Sequence, residues 1–427
     1  MMFIYADSLD YVDPGYDFLR DRNADGRRPY WDDRFPHEIM NPAPYDGVLV
    51  SRGIVGDHRF PGKYTESQAM RFRRVGAREF LRLNGNDHAT MPIYGDCGAF
   101  SYHKEAVPPY SSEDMVEFYG DGGFTHGCSV EHVIFDFDPT AKGLNNAPDG
   151  AKDRFDITLS NAEAFLHESR VLGPNFTPLG VVQGWSPDSM ASAAERLVGM
   201  GYEYLAVGGM VPLGMQSVAL VLDTIQSRIP PRVRLHLLGF AKAESVSSFA
   251  RFKNLYSFDS TSPLLRAFKD GKRNYFFQSQ DGSLDYYTAI RIPQATGNPK
   301  LQRAVREGRL RQEDLIDAEK AALDAVRRYD AGGASLDEAL DRILAYSTVQ
   351  MGTGPQSGTN YGALEKLSQR YRRTLAEVPW KRCPCTICTT SGVEVVIFRA
   401  SNRNKRRGIH NLFVYHSHLK RNGIPNA

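Results

Sequence analysis

Short apolar segments alternate with helical patterns through the first 270 residues, and this alternation restricts the possible folds. The apolar runs lie at residues 47–50, 91–94, 132–137, 179–182, 204–207, 235–238 and 255–258. Helical patterns lie between several of them, at residues 111–119, 159–172, 187–200 and 215–228. Continuous apolar strands joined by helices are typical of a parallel sheet covered on both faces. We therefore predict an α/β fold, a (β/α)₈ TIM barrel, whose eighth strand lies at residues 275–277 or 289–292.

Helix-forming residues dominate the part of the chain that follows. Residues 299–330, 335–346 and 361–375 are rich in Ala, Leu, Glu and Arg, and the glycines at residues 352–358 predict a linker. We predict three segments: a catalytic barrel at 1–295, a helical segment at 296–380, and a C-terminal module at 381–427. The helical segment is either an inserted subdomain or scaffold.

Three of the five cysteines fall within six residues, as Cys383, Cys385 and Cys388. Thiols in a C-x-C-x-x-C arrangement can surround one ion, and His410, 22 positions after the last thiol, can complete a tetrahedron. His416 and His418 are the alternative fourth ligands. Four protein ligands leave no open position, so we predict one structural Zn²⁺ per chain and expect the chemistry elsewhere.

Basic residues concentrate around these cysteines. The run Arg403, Lys405, Arg406 and Arg407 follows them and predicts contacts to nucleic-acid phosphates, since clustered cations release counterions on binding. A solvated surface is the alternative interpretation. The formal net charge is only +2, so binding must depend on such local patches.

The cellular location follows from composition. No stretch reaches the length of a membrane span, and the N-terminus lacks the pattern of a signal peptide. Cysteines clustered as metal ligands suit a reducing compartment. We therefore expect a cytoplasmic protein without a membrane partner.

Polar residues and glycines follow the ends of several predicted strands. Asp96 follows the strand at 91–94, Asp138 the strand at 132–137, Gln183 the strand at 179–182, Gly208-Gly209 the strand at 204–207, and Asp259 the strand at 255–258. In a (β/α)₈ barrel all these positions open onto the face that carries the chemistry. A single aspartate there often caps the next helix, but several together indicate a site.

These motifs resemble those of the guanine transglycosylases. The segment Asp96-Cys97-Gly98-Ala99-Phe100 is similar to the family's D-S-G-G-F signature, and Phe258-Asp259-Ser260 is similar to its nucleophile motif. The turns Gln183-Gly184 and Gly208-Gly209 resemble its base-binding turns, and the cysteines with His410 match its zinc module. Cys97, Ala99 and Ser101 depart from the family's usual residues, so the resemblance does not define the exact shape of the base pocket.

The resemblance implies an exchange of bases at a nucleoside. Asp259 would be the nucleophile that traps the sugar as an ester, and Asp96 the general acid and base. Asp138 would accept hydrogen bonds from the N–H groups of the purine. The remaining base-binding residues would be Gln183, Gly184, Gly208, Gly209, Cys97 and Gly98.

The N-terminal segment 6–14 and the long separation between Asp259 and Cys383 resemble the branch of the family that acts on DNA. The favoured function is a DNA-guanine transglycosylase that inserts a free 7-deazaguanine such as 7-cyano-7-deazaguanine, with companion proteins of a DNA modification system as possible partners. A tRNA-guanine transglycosylase is the alternative enzyme. A non-catalytic nucleic-acid-binding subunit is the third interpretation, and the presence of both Asp96 and Asp259 argues against it.

Overall fold

The computed structural model describes residues 1–240, 248–249, 251–351 and 361–422, without the side chains of residues 351 and 361. The predicted linker at 352–358 lies outside the described residues. The chain divides into two compact units. The first consists of Met1–Leu9, Tyr45–Thr261 and Asn422–Ala427, and the second of Asp10–Pro44 and Ser262–Arg421.

The first unit is a closed barrel of eight parallel strands, as the sequence predicted. The strands are β1 (Met2–Ala6), β2 (Gly47–Ser51), β3 (Ile93–Asp96), β4 (His126–Cys128), β5 (Thr177–Val182), β6 (Tyr204–Val207), β7 (Arg234–Leu237) and β8 (Leu255–Ser260). The barrel closes where β1 pairs with both β2 and β8, so that Ile4 lies opposite Gly47 on one side and Asp259 on the other. Buried side chains such as Ile4, Tyr94 and Val181 fill its interior.

Two strand predictions were wrong. The eighth strand is the N-terminal β1, whereas residues 275–278 and 290–291 form strands of the second unit. Residues 132–137 are not a strand, and the fourth strand is the shorter β4 just before them. Val133 and Ile134 are buried, so they give an apolar signal without strand hydrogen bonds.

Helices surround this barrel, and their ends follow local sequence rules. They are Arg52–Val55, Glu66–Phe80, Ser112–Gly122, Ala151–Glu168, Pro187–Met200 and Met215–Gln226. The helix Pro187–Met200 has proline at its first position, and the Ser186 hydroxyl accepts a hydrogen bond from the Ser189 N–H. Gly201, in the left-handed region, ends it.

The second unit contains the remaining helices and two small sheets. Its helices are Pro36–Ile39, Ser262–Lys269, Pro299–Arg306, Gln312–Asp330, Leu336–Met351, Tyr361–Glu377, Pro379–Arg382, Thr386–Ser391 and Ser401–Arg421. Strands β9 (Tyr275–Gln278) and β10 (Leu284–Tyr287) form an antiparallel pair, and β11 (Ile290–Arg291) pairs with β12 (Ile397–Phe398).

One hydrophobic core runs through the second unit and corrects the predicted division. It includes Ala322 and Ile343 of the helical segment together with Cys388 and Ile409 of the C-terminal module. The segments at 296–380 and 381–427 therefore form one compact unit, which also includes residues 10–44. Within the described ranges, no helix combines the length and the apolar character needed to cross a membrane.

Candidate active site and metal cluster

Asp259 lies near the C-terminal end of β8 and is 7% exposed. Its Oδ1 accepts two hydrogen bonds, from His236 Nε2 at 3.2 Å and from the Gly239 backbone N–H at 2.9 Å. Its Oδ2 accepts no hydrogen bond from the part of the chain that the structure describes. One carboxylate oxygen is thus held in place while the other is available to react.

Asp96 is the last residue of β3, opposite Ser51 of β2, and is partly exposed. Burial of its carboxyl group, together with the charge of Asp259, raises its pKa from 3.8 to about 6, although hydrogen bonds from Ser51 and Gly98 oppose the shift. A carboxyl group with a pKa near 6 can both donate and accept a proton near neutral pH. The negative charge of Asp259 acts on Asp96 only if the two groups are close. The two predicted catalytic carboxylates are therefore close enough to influence each other's charge.

Gly98 fixes the turn that follows Asp96. Its N–H donates to Asp96 Oδ1 at 2.9 Å, and its φ of +77° lies in the left-handed region. A Cβ at this position would lie 2.6 Å from the backbone of Gly53. The turn therefore requires glycine for both its conformation and its packing.

Gln183 lies directly after β5 and is almost fully buried. Its Nε2 donates to the carboxylate of Glu131, and its Oε1 accepts from the Ile134 N–H at 3.2 Å. A Cβ on Gly208 would lie 2.3 Å from Gln183 Nε2, so glycine leaves space beside this amide. The predicted base-binding residues Gln183 and Gly208 are therefore neighbours, with Glu131 beside them.

The other predicted base-binding positions have different surroundings. Gly209 has a φ of +70°. Gly184 packs against the helix Pro187–Met200, because its Cβ would lie 2.8 Å from the Met190 nitrogen. Cys97 is buried and accepts a hydrogen bond from the Tyr102 hydroxyl at 2.9 Å, and burial raises the pKa of its thiol.

Asp138 lies on an exposed loop and not at a strand end. Its Oδ1 accepts from the Thr140 N–H at 2.8 Å and from the Thr140 hydroxyl at 2.7 Å. These hydrogen bonds lower the pKa of Asp138. Its side chain stabilises its own turn in this structure, and its predicted contact with the purine remains a prediction.

Two residues of the site were not predicted from the sequence. Glu131 and His236 are buried and contact Gln183 and Asp259 respectively. An acidic residue directly before the apolar run at 132–137 was the available signal for Glu131. No partner for His236 can be read from the sequence. Of the other histidines nearby, His126 contacts the Thr125 hydroxyl and His132 contacts the Glu105 carbonyl.

The cluster Cys383, Cys385, Cys388 and His410 can hold a metal ion. One ligand atom from each residue lies within 4.8 Å of the others, and all four residues are buried. His410 Nδ1 lies 3.2–3.6 Å from the three sulfurs. Its Nε2 donates to the Phe276 carbonyl at 2.7 Å, which leaves Nδ1 as the ligand. The Nδ1 of His418, one of the alternative ligands, instead lies 3.1 Å from the Gly282 carbonyl oxygen.

The predicted phosphate-binding residues are largely buried. Arg403 and Arg407 are 0% exposed and Arg406 is 7% exposed. Arg403 pairs with Asp21 and Glu394, Arg406 donates to the Asp13 carbonyl, and Arg407 donates to carbonyls that include that of Ala267. The half-buried Lys405 donates to the Tyr11 carbonyl at 3.2 Å. This corrects the prediction of phosphate contacts for the arginines, whose guanidinium groups hold the second unit together.

Comparison with known proteins extends the motif resemblance over nearly the whole chain. The chain is 38% identical over 422 residues to a curated DNA-guanine transglycosylase from Salmonella montevideo, covering 98% of this chain and 97% of the relative. No family model matches the chain. The aligned length includes both compact units and therefore both the carboxylate site and the metal cluster.

Proposed function

The chain belongs to the guanine transglycosylase family, in its DNA-modification branch, and on that premise we propose that it exchanges guanine in DNA for a free 7-deazaguanine. A guanine transglycosylase is a pentosyltransferase, an enzyme that breaks and re-forms a glycosidic bond. The observation that carries the proposal is the pair Asp259 and Asp96, one with an unbonded oxygen and the other with a pKa of about 6.

The first displacement requires a nucleophile and an acid. Asp259 Oδ2 attacks C1′ of the deoxyribose, and the electron pair of the C1′–N9 bond moves onto the departing guanine. Protonated Asp96 gives its proton to that base. The products are neutral guanine and a sugar bound to Asp259 as an ester.

The second displacement reverses these roles. The incoming base loses its N9 proton to ionised Asp96, and its nitrogen attacks C1′ as the ester bond to Asp259 breaks. Two inversions give net retention at C1′, as in retaining glycosidases. Asp96 alternates between acid and base, which suits a carboxyl group whose pKa of about 6 makes both protonation states accessible near neutral pH.

Base recognition is proposed for the group around Gln183. The Gln183 amide has one N–H left after its bond to Glu131, and Gly208 leaves room for a flat ligand beside it. The O6 carbonyl of guanine or of a 7-deazaguanine is a suitable acceptor. Because a duplex hides C1′ and the base, we expect the target nucleotide to leave the stack before reaction.

Zinc is the metal proposed for the cysteine cluster. Three thiolates and one imidazole nitrogen are the donors of a closed structural zinc site. Bound zinc would join His410 of the helix Ser401–Arg421 to Cys388, which lies 22 positions earlier in the chain. The ion contributes to folding and takes no part in the exchange.

Contacts to DNA phosphates are proposed for exposed cations of the second unit. Lys272 and Arg273 follow the helix Ser262–Lys269, are exposed, and form no ion pair with other described residues. Arg273 lies 5.8 Å from the ring centroid of Tyr286, whose face can also stack on a base.

Labelled guanine distinguishes the possible polymers. The pure protein is incubated with labelled guanine and either duplex DNA or tRNA, and nucleosides are analysed by mass spectrometry after a 7-deazaguanine is supplied. We expect label and modified base in DNA only. Incorporation confined to tRNA would overturn the DNA assignment but not the chemistry.

A further inference from the structure

A chain of four buried side chains leads from the centre of the barrel to Asp259. The Tyr94 and Tyr204 hydroxyls are 3.1 Å apart, and the Tyr204 hydroxyl lies 2.5 Å from that of Ser257. The Ser257 hydroxyl lies 2.5 Å from His236 Nδ1, and His236 Nε2 lies 3.2 Å from Asp259 Oδ1. All four side chains of the chain are at most 1% exposed.

The chemistry of the two ends fixes the direction of every hydrogen bond. An ionised carboxylate can only accept, so His236 Nε2 carries the proton. In the tautomer with its proton on Nε2, Nδ1 accepts from the Ser257 hydroxyl. Ser257 in turn accepts from Tyr204, and Tyr204 from Tyr94. Burial raises the pKa of Tyr94 to about 12, so this phenol keeps its proton.

Aromatic rings and an arginine side chain surround this chain of hydrogen bonds. The ring of Tyr94 stacks on His236 with centroids 5.3 Å apart. His126 stacks on the same tyrosine, and burial lowers its pKa to about 4, which leaves it neutral. Arg234 lies over the rings of Tyr204 and Tyr256 and is the nearby cation on the strand of His236.

We propose that His236 is a positioning residue that holds Asp259 Oδ1, together with the Gly239 N–H, so that Oδ2 faces C1′. This inference rests on the proposed role of Asp259 as nucleophile. During the first displacement Oδ2 forms the bond to C1′ while Oδ1 keeps both donors. When the ester breaks, the same donors stabilise the returning carboxylate. His236 transfers no proton in either step.

A single nitrogen–proton donor is better suited to this task than a charged ring. A doubly protonated imidazolium would bind the carboxylate more strongly and weaken it as a nucleophile. The Ser257 hydroxyl occupies Nδ1 as a donor and so favours the tautomer with its proton on Nε2. The chain through Tyr204 and Ser257 therefore preserves the tautomer of the ring.

Three variants test this role. His236→Ala should lower kcat of guanine exchange by about 10- to 100-fold with little change in KM for the base, because a hydrogen bond to a charged group is lost. His236→Gln, whose amide N–H can reach Oδ1, should recover most of kcat. Ser257→Ala should give an intermediate loss, because the tautomer is no longer fixed.

His132→Ala is the matched control, since this buried histidine bonds the Glu105 carbonyl instead. Melting temperature and metal content are measured for every variant. If His236→Ala does not fold, the kcat values of Ser257→Ala and His236→Gln test the positioning role. Equal kcat in wild type and His236→Ala, or a His236→Gln variant no better than the alanine, would overturn the proposal. An inactive wild type would instead refute the proposed function and, with it, this inference.

Discussion

Glu131 and Gln183, 52 positions apart in the chain, are joined by a hydrogen bond from the Gln183 amide nitrogen to the Glu131 carboxylate. The Ile134 N–H donates to the amide oxygen of the same side chain. The opposite amide orientation would bring two donors together at Ile134 and two acceptors together at Glu131. The pair therefore fixes which face of the amide carries the N–H available to a base.

Removing the acceptor at Glu131 should impair base recognition more than the chemical step. We expect Glu131→Leu to raise KM for guanine by about 10-fold, because the Gln183 amide can then turn its oxygen toward the base carbonyl. Glu131→Gln keeps an acceptor oxygen and should stay close to wild type. Steady-state exchange and calorimetric binding of free guanine measure both effects. An unchanged KM in Glu131→Leu would show that Gln183 is oriented by other contacts.

The sequence predicted the parts of the site that local patterns encode. The metal cluster lies mostly within six residues, and Asp96 and Asp259 follow apolar runs that are strands, so both could be located. The proposed roles of His236 and Glu131 depend on hydrogen-bond partners 23 and 52 positions away in the chain. Such contacts exist only after the barrel closes.

The basic run was interpreted as exposed because composition does not show whether a side chain points into solvent or into the core. Arg403, Arg407 and His410 recur at spacings of four and three on the helix Ser401–Arg421, so they share one face. The proposed metal ligand His410 is buried and marks that face as the inner one. Combining helical periodicity with the predicted ligand would have placed both arginines inside the protein.

Replacing either of the two proposed catalytic carboxylates should stop exchange without unfolding the protein. Asp259→Asn cannot form the sugar ester, so neither exchange nor a covalent protein–DNA adduct should be detected. Asp96→Asn should also lose exchange, yet some adduct can accumulate on denaturing gels because Asp259 is intact. Wild-type exchange by Asp259→Asn would refute its role as nucleophile.

The raised pKa of Asp96 predicts a pH-dependent cost to stability. Its folded pKa of about 6 exceeds the ordinary 3.8, so the folded state binds more protons between about pH 4 and 6, and stability falls as pH rises through that window. Asp96→Asn removes this penalty. We expect the variant to match wild type below pH 4 and to be more stable by about 1–3 kcal/mol above pH 6. Urea unfolding across this range is the measurement, and parallel stability curves would contradict the shifted pKa.

Metal content provides a test independent of activity. The purified protein should contain about one zinc ion per chain by elemental analysis. Cys388→Ser should lose metal and melt at a lower temperature, because structural zinc contributes to folding. His418→Ala is the matched control, since its Nδ1 contacts the Gly282 carbonyl and not the thiols. Metal lost from His418→Ala but kept by His410→Ala would move the fourth ligand.

Buried and exposed cations of the second unit should respond oppositely to mutation. Arg403→Ala leaves Glu394 and Asp21 buried without a partner and should cost about 3–5 kcal/mol of stability. The double variant Lys272→Glu and Arg273→Glu should keep the wild-type melting temperature, because both side chains are exposed. Its DNA affinity should fall about 10-fold, and the slope of log Kd against log salt should decrease by about 2.

Fluorescence anisotropy with duplex DNA at several salt concentrations, alongside thermal melts, separates these two effects. The double variant leaves the proposed guanine-binding residues unchanged. Calorimetric binding of free guanine should therefore be the same in the double variant and in wild type. If Lys272→Glu with Arg273→Glu bound DNA as wild type does at every salt concentration, the phosphate contacts would have to be made by other exposed cations.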